Sequence, residues 1–420
     1  MNRYGFKAFL VRLVKAFGNG LLREKLRRRV WRSRLVSGLR SWRVRRFHPI
    51  AGGKVLFVTS SNNCTCNPKA VARELARRRP DVDIVWVMDS ASLRACGGRP
   101  DTGRAVPRWT WTAYRELATA RVLVENAYLL VTRGNPAKRP GQCVMNTWHG
   151  SLGIKRLDAG RCAETGQGLA NAAVIDVLLS NSDFEDGVFA SCPLSAAPRV
   201  RTGHPRNDVF FASQEERDAI RAKVFAALGL PPAAKFALFA PTFRDSALSA
   251  GSCTYNLDAW KTALERRFGG SWTIALRLHP MDATALAEGL IALPENVVNA
   301  TGYDDMQELL VAADAGITDY SSWIYDYLLG GRPGFIFAPD KADYDGYHGF
   351  YYPLESTPFP VAETNAEMCT NIERFDNELF ARRAKEFLAE KGCMEDGNAS
   401  SRAVDIIERW LEEGTDGTAR

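Results

Sequence analysis

Short apolar runs alternate with amphipathic stretches along most of the chain. Lys54–Val58, Ile84–Met88, Val122–Glu125, Val144–Thr147 and Val174–Leu179 are apolar without strict alternation, the pattern of strands buried on both faces. Helical spacing lies between some of them, over Pro68–Arg79 and Trp109–Ala120. The pattern returns downstream in Phe236–Ala240, Trp272–Leu278, Val297–Asn299, Ala315–Thr318 and Gly334–Phe337, with helical spacing over Leu257–Phe268 and Tyr303–Ala313. Between the two rounds, Gln214–Leu228 reads as a charged helix closed by Pro231-Pro232. One long charged helix is predicted over about Asn377–Glu413. These alternations predict an α/β chain of two doubly wound, Rossmann-type domains in series, with a ligand cleft between them at the carboxyl ends of the strands. The expected division is a head over 1–50, domains over 51–213 and 214–390, and a C-terminal helix and tail over 391–420.

The head differs from the body in charge. Its fifty residues hold fifteen Lys/Arg against the single acid Glu24, so they carry +14 and the other 370 residues carry −7 of the chain's net +7. A mildly acidic body excludes nucleic-acid binding by bulk charge. Phe6, Phe9, Leu10, Leu13, Val14 and Phe17 form one helical stripe, and Trp31 and Trp42 stand among the basic residues that follow. A basic amphipathic segment with interleaved aromatics suits an anionic membrane surface. A helix packed on the body with a solvated basic face is the second reading, and nucleic-acid contact the third. No run of about 18 uncharged apolar residues predicts a spanning helix, and Arg12 and Lys15 interrupt what would be a signal peptide. The nine cysteines are expected to be reduced thiols, Cys64-Thr65-Cys66 included, since no second Cys/His pair stands at metal-site spacing.

Residues suited to chemistry gather after predicted strands. They are Trp148-His149-Gly150-Ser151, Thr242-Phe243-Arg244, Arg277-Leu278-His279 and Asp319-Tyr320-Ser321-Ser322, with His204-Pro205-Arg206 closing the first round. A histidine near neutral pH takes a proton from a hydroxyl or, charged, neutralises a phosphate. Hydroxyls and free N–H groups before a helix suit an anion, and equally suit a plain helix cap. No GxGxxG, no phosphate-binding P-loop and no metal-holding DxD pair accompanies the strands.

The runs NTWHGSLGIKRLD, SNSDFEDGVF, GHPRNDVFF, ALFAPTFRD, LRLHPMD and ITDYSSWIYDYLLGGRPGFIFAPDKADYDGYHGFYY occur in this order. Together they resemble the CDP-glycerol glycerophosphotransferase family of teichoic-acid and capsule synthesis, over about Lys54 to Glu390. The resemblance implies a GT-B fold and transfer of a polyol phosphate, without a metal or other cofactor, from CDP-glycerol or a related CDP-polyol to a hydroxyl of a lipid-linked or polymer acceptor. It implies His149 as base and His279 as a group stabilising the phosphates. Thr242, Arg244, Arg277, Ser321 and Ser322 would bind the donor, with Arg206 in the same pocket. Asp319 would orient a donor hydroxyl or cap the helix, and Asp326 would meet hydroxyls or serve structure. Asn67, Lys69, Trp148 and Ser151 would lie on the acceptor side, with Asp208 or Asp319 the next candidates for base. The expected place is the cytoplasmic face of the membrane, held peripherally by residues 1–50, with no nucleic-acid partner. A GT-B glycosyltransferase using a sugar nucleotide is the alternative enzyme, and a membrane scaffold the non-catalytic one.

Overall fold

Buried Val, Leu and Phe side chains place β1 (Ala51–Val58) and β4 (Ala120–Glu125) at the centre of a seven-stranded sheet. Around them lie β2 (Asp83–Met88), β3 (Arg104–Pro107), β5 (Cys143–Asn146), β6 (Val177–Ser180) and β7 (Arg199–Arg201). The computed structural model describes residues 34–61, 63–127, 135–153, 156, 172–192, 194–242, 255–278, 293 and 296–416. The sheet order is β3-β2-β1-β4-β5-β6-β7, parallel throughout. Helices α1 (Arg34–Phe47), α2 (Cys66–Arg78), α3 (Ser90–Ala95), α4 (Trp111–Thr119) and α5 (Asp183–Ala190) accompany it, and a 3-10 helix over Pro205–Phe211 leads out.

A second sheet follows α6 (Gln214–Leu228), which Ser213 and Glu216 open with reciprocal caps. Its strands are β8 (Lys235–Phe239), β9 (Trp272–Leu276), β10 (Val297–Asn299), β11 (Ala315–Thr318), β12 (Gly334–Phe337) and β13 (Val361–Ala362). They run in the order β10-β9-β8-β11-β12-β13, all parallel. Helices α7 (Leu257–Phe268), α8 (Met306–Ala312), α9 (Trp323–Leu328), α10 (Lys341–His348), α11 (Asn365–Glu373) and α12 (Asn377–Glu390) belong with it. The expectation of two parallel α/β units holds. The strands that the sequence does not announce are β3, β7 and β13, all short edge strands. Two of them carry arginines, and none forms an apolar run.

The single long C-terminal helix is corrected. The chain breaks after α12, turns through Gly392 and Gly397, and restarts as α13 (Ala399–Asp416). Both glycines have positive φ, 63° and 81°, and a Cβ at 397 would stand 2.6 Å from Phe211 Cβ. Asp208 caps α13 from outside, its carboxylate accepting the Ala399 and Ser400 N–H groups at 2.9 and 2.7 Å. Ala403, Val404, Ile407 and Leu411 of α13 then join Val55, Val71 and Leu75 in the first unit's core.

Helix α1 packs one face on α4, where Val44 meets Tyr114 and Ala118 and the Arg40 guanidinium lies 4.9 Å from the Tyr114 ring. Leu39, Trp42 and Phe47 are exposed at 70%, 63% and 58%. The stripe from Phe6 to Phe17 lies outside the described residues. No described helix is long and apolar enough to cross a membrane. Seven cysteines, Cys64 and Cys66 among them, are free thiols among the described residues.

Candidate active site

Both sheets reverse strand order at one point, between β1 and β4 and between β8 and β11, and such a reversal opens a crevice at the carboxyl ends of the strands. Side chains bridge both crevices. After β4, Asn126 Oδ1 accepts the Ser60 N–H at 2.8 Å. After β11, the Asp319 carboxylate accepts the Thr242 N–H at 2.8 Å and its hydroxyl at 3.0 Å. Asp319 also takes the Tyr320 N–H at 2.5 Å, so it fastens Thr242 to the turn after β11.

The loop after β5 carries His149. Thr147 donates its N–H and its hydroxyl to Glu125 O at 2.7 and 3.1 Å, and Trp148 N–H donates to Asn146 Oδ1 at 2.8 Å. Trp148 takes a left-handed φ of 55°, which turns its ring into the core against Phe189. Gly150 permits this, because a Cβ there would stand 2.6 Å from Trp148 Nε1. His149 itself is exposed, and its Nδ1 lies 2.5 Å from Asn126 O. A carbonyl only accepts, so Nδ1 carries the proton and Nε2 is the basic nitrogen of the neutral ring. Trp148 and Ser151 are buried, and Ser151 Oγ accepts from Asn181 Nδ2 at 3.4 Å, so both support the loop from beneath.

On the second unit, Arg277 follows β9, and its Nη1 is shielded from solvent without a hydrogen-bond partner among the described residues. Burial lowers its pKa from the ordinary guanidinium value, against the pull of Asp305 and Asp304. Ser321 and Ser322 are half-buried at the start of α9, with no side-chain hydrogen bond among the described residues. Tyr320 steadies this turn by stacking on Tyr344 at 3.8 Å and donating its hydroxyl to Asp340 Oδ1 at 2.8 Å. Arg244 and His279 lie outside the described residues. No group of three or more His, Cys, Asp or Glu among the described residues is placed to hold a metal ion.

Four expected ligand residues are engaged elsewhere. Asn67 is buried at the start of α2, donating to Thr147 O and Trp148 O at 2.7 and 3.0 Å. Lys69 reaches across to the second unit, with Asp305 at 2.5 Å and Glu308 at 3.1 Å. Burial alone would raise Glu308, but Lys223, Tyr303 and Lys69 hold its carboxyl down at about 2. Arg206 donates to Asp326 Oδ2 at 2.9 Å, and Asp326 also accepts Asn207 Nδ2 at 3.0 Å and Gln307 Nε2 at 2.9 Å. Asp208, as the cap of α13, is likewise committed.

Beside this contact lies a buried polar cluster that motif reading missed. His204 Nε2 is 3.1 Å from Glu185 Oε2, and the Glu395 carboxylate takes Asn181 Nδ2 and Asn207 Nδ2, each at 3.0 Å. Burial pushes Glu395 up to about 6. Burial alone would lower His204, yet the charge and hydrogen bond of Glu185 leave it raised. Glu185 and Asn207 stood inside matched runs, whereas nothing local marks Gln307 or Glu395.

Residues 41–409 match the model of the CDP-glycerol:poly(glycerophosphate) glycerophosphotransferase family. A teichoic acid poly(glycerol phosphate) polymerase of Bacillus spizizenii is 26% identical over 366 residues, 83% of this chain and 90% of that protein. A teichoic acid ribitol-phosphate primase of the same organism is 29% identical over 316 residues, 71% of this chain and 78% of that one. The chain spans about half the length, 50% and 49%, of two longer glycerol phosphate polymerases. Among solved structures, the wall teichoic acid polymerase TagF superposes with a TM-score of 0.75 at 23% identity, over 98% of this chain and 99% of that one.

Proposed function

The chain belongs to the CDP-glycerol:poly(glycerophosphate) glycerophosphotransferase family, and from that premise we propose that it transfers glycerol phosphate, or a related polyol phosphate, from a CDP-polyol to a hydroxyl of a lipid-linked or polymer acceptor. The acceptor oxygen attacks the β-phosphorus, and the bond from that phosphorus to the bridging oxygen breaks. CMP leaves with the bond's electron pair, and the hydroxyl proton passes to His149 Nε2. The observation that carries this reading is the His149 ring itself. It is exposed at the carboxyl edge of the first sheet, with the Nδ1 proton fixed on Asn126 O.

On the second unit, Arg277, Ser321 and Ser322 hold the donor phosphates, with Thr242 presented by Asp319. Arg244 and His279 are assigned to the same pocket by their motifs. Fixed cations and N–H groups then supply the electrostatic stabilisation, and no metal is required. Full activity after EDTA treatment is expected, and loss of activity restored by Mg²⁺ or Mn²⁺ would contradict this.

The exposed Leu39, Trp42 and Phe47 share α1 with Arg43, Arg45 and Arg46, which supports peripheral docking on an anionic bilayer at its cytoplasmic face. Liposome sedimentation compares the full chain with a protein beginning at Gly52. Equal binding at moderate salt would sink the docking role. The transfer itself is tested by CMP release from CDP-glycerol and from CDP-ribitol with lipid-linked acceptors.

A further inference from the structure

Four consecutive carbonyls of the His149 loop are held from one side. Asn67 Nδ2 binds Thr147 O and Trp148 O, while Arg206 binds the next two, His149 O through Nη1 and Gly150 O through Nη2, both at 2.7 Å. Asn67 and Arg206 are themselves joined, the Arg206 N–H donating to Asn67 Oδ1 at 3.0 Å. The remaining guanidinium nitrogen of Arg206, Nε, crosses to Asp326 Oδ2. Asp326 lies on α9, the helix that Ser321 and Ser322 open. Both members of the ion pair are buried, with side chains 6% and 2% exposed. Thus one planar side chain ties the loop of the base to the helix of the donor pocket, and its nitrogens all point at protein acceptors.

We propose that Arg206 is a positioning residue for the transfer, keeping the His149 loop in register with the Ser321–Ser322 turn across the two units. This rests on the reading of His149 and of the donor pocket given above. A lysine keeps the charge beside Asp326, but one ammonium group cannot reproduce the fork that spans Asp326, His149 O and Gly150 O. A loop displaced by about 1 Å is enough to cost about 10²-fold in rate. A donor ligand at this position would instead show its loss in donor affinity.

The experiment compares wild type, Arg206→Lys and Asp326→Asn as full chains, with melting curves to establish folding. Turnover of CDP-glycerol with a lipid-linked acceptor is measured beside hydrogen exchange over Asn146–Ser151, which needs no substrate. Arg206→Lys is expected to lower kcat by about 10²-fold with KM for CDP-glycerol changed less than about threefold, and to speed exchange in that loop. Asp326→Asn keeps the shape and one acceptor, so the same pattern is expected in weaker form, and it serves if the lysine variant does not fold. A folded variant with wild-type kcat and unchanged loop exchange would overturn the proposal, and so would a loss confined to donor KM. Wild type inactive with every CDP-polyol would instead remove the transfer reading, leaving loop exchange to decide for or against Arg206 as the clasp.

Discussion

His149 owes its chemistry to a neighbour's backbone. Asn126 O accepts the hydrogen bond of the Nδ1–H group, a backbone contact that sets the tautomer whatever side chain stands at 126. His149→Ala is expected to lower kcat by about 10²–10⁴-fold with donor binding little changed, as read by turnover and donor titration. Near wild-type turnover from a folded variant would take the base role away from it. The next candidates in sequence are both engaged, Asp319 with Thr242 and Asp208 as the cap of α13. At this scale the sequence was legible only in part. It located polar residues after strand ends, because buried parallel strands announce themselves. It could not show whether such a residue faces a ligand or the other unit. Lys69 and Arg206 find their carboxylates more than a hundred positions away, at Asp305 and Asp326, and no local pattern encodes that choice.

Among the elements, the turn between α12 and α13 departs furthest from expectation. The charged periodicity runs on toward α13, but Gly392 and Gly397 take left-handed backbone and send the chain back to the first sheet. Gly397→Ala meets both strain and a close approach to Phe211, whereas Gly229, φ 66°, has nothing within 4 Å of its added Cβ. Gly229→Ala is therefore expected to cost about 1–2 kcal/mol, from backbone strain alone. Gly397→Ala should cost about 1–3 kcal/mol more from overpacking. Thermal melts of the two variants check the order, and a smaller drop in Tm for Gly397→Ala would refute it. The central strands were legible because they are continuous apolar runs. Edge strands β3 and β7 were not, being short and interrupted by arginines, nor was β13, which has two residues.

In the whole molecule, the two units meet through buried charge. Lys69 pairs with Asp305 and Glu308, and Arg206 with Asp326, which also accepts from Asn207 of the polar cluster. His204 in that cluster is raised above its unfolded value of about 6.5. The native state therefore holds its proton more tightly, and this stabilisation is fully present below pH 6.5 and lost as pH rises through the folded value. Glu395, raised to about 6, acts in the same direction at lower pH, its contribution fading as pH climbs to about 6. Facing them are Glu185, Arg206 and Asp326. Tm is expected to fall more steeply above pH 6.5 in wild type than in His204→Gln, and identical slopes would exclude His204 as the source. The order of the units and their shared strand pattern could be anticipated from apolar periodicity. The ion pairs between them could not, since each depends on which faces meet.

The central claim is tested most directly by giving the purified full chain CDP-glycerol and a lipid-linked acceptor, and following CMP together with the mass of the acceptor. The account predicts that each CMP released is matched by one glycerol phosphate gained by the acceptor. CDP-glycerol and CDP-ribitol both left intact, while a sugar passes to the acceptor from a sugar nucleotide, would contradict it.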